Sequence, residues 1–193
     1  MNLLAHLFLA RHHAEDVQLG NFSADHVGSR RAVAAYGAGF RAGVELHQRI
    51  DAFTDDHPEV HKTKARLREA GFGKYAPVIA DVLYDHLLAR DFGRYSPTES
   101  LAAFSQRMYR LLTRRAPDLP PGVQQFLPYM VRHDWLANYA HLWGFERSLA
   151  GVARRASAGE GIGGAAQEFK RHEAAYVADF EAFWPELEGR VKG

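Results

Sequence analysis

Aspartate and histidine recur one helical turn apart in three stretches: Asn21 and Asp25; His47, Asp51 and Asp55; and Asp81, Asp85 and His86. Residues four apart share a helix face, so each set aims its side chains at one neighbour. Carboxylates stacked in this way repel each other and resist burial unless a cation neutralises them. A divalent metal site is the most economical account, and hydrolysis is the chemistry such a site performs. Plainer accounts of the same spacing stand beside it. The run HQRIDAFTDDHPEV could be an exposed charged face, although its stripe lacks the lysine that usually pairs with such acids. Asp81 and Asp85 could instead be satisfied by helix caps, Arg49 or Arg90, and His6 alone among Leu3, Leu7 and Leu9 reads as a core histidine.

The elements that must position these residues are helices. Apolar residues recur at three-to-four spacing almost throughout and strict alternation is hardly seen, so the expected fold class is all-α, a single-domain helical bundle. Asn2 is available to cap a first helix running to about His13. Gly20 reads as the end of a short loop before a helical stretch from Asn21 to Val27, and Gly37 and Gly39 as a source of irregularity. A firmer helix is expected over about Ala42–Asp55, and Pro58 suits the first turn of the next, which ends at Gly71. Tyr75–Arg90 is apolar almost all round, which marks a central helix and makes its aspartates demand an explanation. Ser96 is a candidate cap for a helix ending near Arg115. Val123–Tyr139, Leu142–Ala156 and Ala165–Leu187 complete the set, with a Gly-rich, mobile connection expected over Ser157–Gly164. No repeat or linker divides residues 1–193, which read as one domain.

Composition removes several function classes. The 24 Lys+Arg and 23 Asp+Glu nearly cancel, so no global field favours nucleic acid. Cysteine is absent, which excludes disulfides, thiolate catalysis and Cys-based zinc sites, and leaves O and N ligands for any metal. No P-loop, dinucleotide fingerprint or G-x-S-x-G elbow occurs. The apolar start, Met1–Ala10, is too short to span a bilayer and has no basic flank, so a cytoplasmic protein with no membrane partner is expected.

Taken together, the runs NLLAHLFLA, GNFSADHV, GVELHQRIDAFTDDHPEV and APVIADVLYDHLLAR resemble the acyl carrier protein phosphodiesterase family, with weaker echoes in YMVRHDWLANY and FEAFWPEL. The resemblance runs nearly end to end and is most specific in the first ninety residues. It implies an all-α, HD-domain-like enzyme, a distant relative of the HD phosphohydrolases. The implied reaction removes 4′-phosphopantetheine from holo-acyl carrier protein with Mn²⁺, Mg²⁺ and Fe²⁺ being alternatives. The HD signature has adjacent His-Asp, whereas this chain has Asp85-His86 in reverse order and His47 and Asp51 one turn apart.

Carried onto this chain, the resemblance puts Asp25, His47, Asp51, Asp85 and His86 near the metal, with His6 and Asp81 at its edge. Arg49 would clamp a phosphate oxygen, and Asp55 and Thr54 would position water or cap a helix. Acyl carrier proteins are strongly acidic, so a basic docking rim is expected, with Arg30, Arg31, Lys62, Lys64 and Arg90 nearest the motifs. Two other functions remain open at this point: an HD-like phosphohydrolase of nucleotides or small phosphodiesters, and a helical scaffold whose acids and arginines are merely paired. Metal content and activity on small phosphodiesters separate the three.

Overall fold

In the computed structural model, which describes residues 1–155, 162 and 164–192, all regular structure is helical. The site depends on four helices: α1 (Leu3–Leu9), α2 (Glu15–Ser23), α4 (Ala38–Asp56) and α6 (Ala76–Arg90), with the short α3 (Arg30–Ala34) between the second and third. α5 (Pro58–Leu67), α7 (Phe92–Tyr95), α8 (Leu101–Arg114), α9 (Pro121–Arg132), α10 (Trp135–Asn138), α11 (Leu142–Arg155), α12 (Ala165–Arg171) and α13 (Glu173–Lys192) complete the order. None of the described helices is long and apolar enough to cross a membrane. The Gly-rich connection expected over Ser157–Gly164 falls largely outside the described residues.

α6 is central, as its all-round apolarity predicts. Ile79, Val82, Leu83, Tyr84, Leu87 and Leu88 are all buried, and the helix packs against α1, α5, α11 and α13. An aromatic cluster fills the space beside it: Phe8 meets the edge of Phe92 at 5.3 Å between ring centroids, and Tyr84 meets Phe180 at 5.1 Å. Pairs in such tilted and edge-on arrangements add to the energy of burial.

Several boundaries differ from the sequence reading. α1 stops at Leu9, and its start is not capped by Asn2, whose amide donates to Tyr139 Oη at 2.9 Å instead. Ser100, not Ser96, caps α8, its Oγ accepting from Ala103 N–H at 3.2 Å. The long helix expected over Val123–Tyr139 is broken at Asp134, whose left-handed backbone (φ 45°, ψ 52°) separates α9 from α10. Aspartate tolerates that conformation better than most side chains, and nothing in residue periodicity announces it.

Gly20 does not end a loop. It lies inside α2 and lets that helix touch α4, because a Cβ there would stand 2.0 Å from Phe40 O. Gly43 is its counterpart on α4, where a Cβ would lie 2.2 Å from Val17 O and 2.7 Å from Asn21 N. These are backbone atoms, which cannot swing aside. Gly43→Ala is therefore expected to destabilise the protein by ~1–3 kcal/mol, the usual cost of overpacking. The measurement is urea unfolding: the midpoint falls at unchanged m-value. An unaltered midpoint would show that α2 yields freely.

Candidate metal centre

The close approach of α2 to α4 delivers Asn21 and Asp25 to the side of α4 that carries His47 and Asp51, and α1 lays His6 across them. The rings of His6 and His47 stack at 3.8 Å with 9° between planes, so the two imidazoles lie side by side. One ligand atom each from His6, His47 and Asp51 falls within 4.8 Å of the other two. His47 Nε2 lies 3.0 Å from Asp51 Oδ2 and 3.2 Å from Asp25 Oδ1, and His6 Nε2 lies 3.2 Å from Asp51 Oδ1.

One residue orients both rings. The buried Asn21 side-chain amide donates to the His6 carbonyl at 2.7 Å, so its Oδ1 is free to accept from His6 Nδ1–H at 3.2 Å. The Asn21 backbone carbonyl accepts from His47 Nδ1–H at 2.8 Å. Both imidazoles thus carry their fixed proton on Nδ1 and turn Nε2 toward the carboxylates. Ligating histidines are commonly held in this way by their other nitrogen. The spacing argument placed Asn21 beside Asp25 but gave it no role; the only sequence signal was an amide amid apolar neighbours.

The electrostatics fit a cation-binding site. Burial pushes His6 down to about 4, with His47 and the Met1 ammonium acting in the same direction. His6 is therefore neutral at pH 7, and its Nε2 lone pair faces a carboxylate. That atom is buried and makes no hydrogen bond. The Met1 ammonium and the protonated His47, both beside Asp51, offset that contact, and a bound cation would offset it more directly. Burial works to lower His47, but Asp25 and Asp51 outweigh it and raise the ring to about 9. Asp51, which burial alone would raise, is held well below the usual carboxylate range by His47 and the Met1 ammonium. The His47 contact likewise lowers Asp25. Two imidazole nitrogens with carboxylate oxygens form a donor set suited to a first-row divalent ion.

The other sequence candidates lie at graded distances. Asp81 stands near the cluster, sharing the Met1 ammonium with Asp51 at 3.2 and 3.3 Å. Asp85 lies beneath it: its two oxygens accept from Leu4 N–H at 2.8 Å and Ala5 N–H at 3.0 Å, capping α1 from α6. Burial raises Asp85 to about 7 despite these two donors. Its oxygens are committed to the backbone.

His86 is not brought to the cluster. Its Nδ1–H donates to Tyr139 O at 2.7 Å and its ring stacks on Phe145, so it fastens α6 to the α10–α11 side. Arg49 also points away, into a cleft it shares with Phe53, His57 and Glu186. Thr54 donates to Ile50 O at 2.8 Å within its own helix, and Asp55 accepts from Lys64 Nζ at 2.7 Å. That ion pair leaves Lys64 buried. Lys62 is engaged by Glu59, and Arg90 by Asp91 and Glu173. Arg30 and Arg31 are exposed and form no ion pair among the described residues.

Asn21→Ala removes the side-chain anchor of His6 while leaving the carbonyl that holds His47. Metal affinity is expected to fall ~10- to 100-fold, as for the loss of such orienting partners elsewhere. Titration of metal-depleted protein followed by calorimetry reads this directly, and unchanged affinity would remove Asn21 from the site.

Comparison with known proteins agrees with the motif resemblance. The family profile described as acyl carrier protein phosphodiesterase matches residues 1–187. A protein of that name from Serratia proteamaculans is 33% identical over 192 residues, covering 100% of this chain and 98% of the relative. One from Photorhabdus laumondii is 33% identical over 185 residues (96% and 92% covered), and one from Escherichia coli O157:H7 is 31% identical over 187 residues (97% and 95%). No solved structure gives a significant match. A match that spans both partners nearly from end to end, and includes the helices that build this cluster, places the chain in the acyl carrier protein phosphodiesterase family.

Proposed function

We propose that this chain hydrolyses the phosphodiester that joins 4′-phosphopantetheine to the serine of holo-acyl carrier protein, releasing the arm and apo-protein. The observation that carries the reading is the buried Nε2 of His6, which makes no hydrogen bond, beside His47 Nε2 and Asp51, a donor set that fits a divalent cation. The full-length match to relatives bearing the phosphodiesterase name supports the choice of substrate.

His6, His47 and Asp51, with Asp25 beside them, would hold the ion, for which Mn²⁺ is proposed. When bound, the ion supplies charge neutralisation at the phosphoryl oxygens and an acidified water. The residues do the rest. Asn21 keeps both imidazoles aimed, so no reorganisation is needed when charge develops. The Asp25 side chain, 74% exposed, is the group of the cluster most open to incoming substrate and orients the water. In the overall reaction water oxygen bonds to phosphorus, the P–O bond to serine breaks, and the serine oxygen takes a proton.

The acidic carrier protein docks on the side of Asp25, where Arg30 and Arg31 at the start of α3 offer uncompensated charge. Charge reversal at both is expected to raise KM for holo-carrier ~10-fold at low salt, with the defect shrinking as salt screens the encounter. A defect independent of salt would place docking elsewhere.

The decisive assay incubates metal-depleted protein with holo-carrier, with and without added Mn²⁺, and follows the carrier by mass spectrometry. The carrier is expected to lose the pantetheine arm only when metal is present. Retention of the arm with Mn²⁺, Mg²⁺ and Fe²⁺ alike would sink the reading.

A further inference from the structure

The break at Asp134 opens a cavity of about 510 Å³ between α9, α10 and α11, walled by Phe126, Tyr129, Trp135, Trp143 and Arg147. Tyr129 and Trp143 are the exposed large hydrophobic residues among those described, at 61% and 50%, and both line this one groove. Such aromatic exposure is costly on a soluble surface and marks a place where something binds. Phe126 and Trp135 stack with 6° between planes, forming a flat wall.

Two short chains of contacts link the groove to the candidate metal centre. Asn2 and Leu3 form part of its rim, and the preceding Met1 nitrogen lies 3.3 Å from Asp51 Oδ1. Opposite, the Phe126 ring packs on His26 at 5.0 Å, and the adjacent Asp25 lies against His47. A ligand with its phosphorus at the cluster has this groove as its adjoining apolar surface.

We propose that the groove is the channel for the pantetheine arm, an inference that rests on the phosphodiesterase reading above. The arm beyond its phosphate is uncharged: a gem-dimethyl carbon, a hydroxyl, two amides and a terminal thiol. Aromatic walls suit its methyl and methylene groups. His133, Arg147 and Ser148, which line the same groove, offer hydrogen bonds to the amides and hydroxyl. Pockets of this kind, mostly apolar with a few polar groups, are the usual form of small-molecule sites. The arm is thereby held across α10 and α11 while the acidic protein lies against Arg30 and Arg31.

The test uses the reaction product, so turnover does not intervene. Full-length, Mn²⁺-loaded protein is titrated by calorimetry with 4′-phosphopantetheine, inorganic phosphate and apo-carrier. Wild type is expected to bind phosphopantetheine more tightly than phosphate. In the double variant Tyr129→Ala, Trp143→Ala that preference falls ~10-fold or more, because two aromatic contacts are lost. With holo-carrier, kcat/KM relative to that for bis(p-nitrophenyl) phosphate falls by a similar factor. Wild type with no preference for phosphopantetheine over phosphate overturns the channel, as does an equal loss for both ligands. A loss confined to apo-carrier also overturns it, since the groove would then receive the protein surface. Failure of the function itself has a separate signature: wild type leaves holo-carrier intact, while the binding arms still decide the groove. Both substitutions are at exposed positions, and circular dichroism verifies that the helices persist.

Discussion

Asp51→Ala is expected to abolish arm release and stoichiometric metal binding in a protein that still folds. The carboxylate is the hub of the site, in contact with both imidazoles and with the Met1 nitrogen. Its removal leaves a neutral His6 and only Asp25 and Asp81 to balance the positive groups around them. A cation site that loses its central anion loses charge neutralisation and ligand geometry together, and the expected fall in kcat/KM is at least ~10³-fold, several kcal/mol of transition-state stabilisation. Asp51 is partly solvated, at 36% side-chain exposure, so its loss leaves no large cavity. The contrasting variant is Asp85→Ala. That carboxylate is fully buried and satisfies two amide N–H groups at the start of α1, each costing ~1–3 kcal/mol when left unpaired. Asp85→Ala is expected to lower Tm first and activity as a consequence, whereas Asp51→Ala is expected to remove activity from a protein that remains folded. Full activity in Asp51→Ala, measured by carrier mass, would end the case for this site.

Metal binding near neutral pH is expected to release close to one proton, and that proton comes from His47. In the metal-free protein His47 is raised from 6.5 to about 9, so at pH 7 its Nε2 carries a proton that coordination must displace. His6, pushed down to about 4, is already neutral and releases none. Apparent affinity should therefore climb ~10-fold per pH unit between about 7 and 9 and then level, each unit being worth ~1.4 kcal/mol. The stability of the metal-free fold moves the other way. A histidine with a raised folded-state pKa contributes stability that is fully present below 6.5 and is lost as pH rises through about 9. The gap in Tm between Mn²⁺-loaded and metal-free protein should thus widen from pH 6.5 to 8.5. Calorimetry in buffers of different ionisation enthalpy counts the proton. A count near zero, with a constant gap in Tm, would show that His47 is not a ligand.

Helical periodicity made the all-α class, the central role of α6 and the pairing of His47 with Asp51 legible, because each depends on spacing within one helix. What it could not supply is the rotation of one helix against another. Asp85 and His86 are neighbours in sequence but point roughly 100° apart around the helix, so one caps α1 and the other ties α6 to Tyr139. Arg49 sits between His47 and Asp51 in the chain, yet the same geometry turns it into another cleft. His6 reads as an ordinary core histidine until α1 is seen stacked on His47. Gly20 was legible as a residue lacking a side chain, but whether that breaks a helix or lets two helices touch depends on its neighbour in space. Asn21 acts through both its backbone and its amide, and no spacing rule encodes that pairing.

The capping of α1 by Asp85 also sets an order of assembly. A nascent chain that has emerged only through α4 already carries His6, Asn21, Asp25, His47 and Asp51, yet it lacks the carboxylate that satisfies the Leu4 and Ala5 amides at the start of the first helix. Seven residues are too few to remain helical unaided. The capped form of α1, and with it the final seat of His6, therefore waits until the ribosome has delivered α6, so the candidate site is completed only as the interior is built.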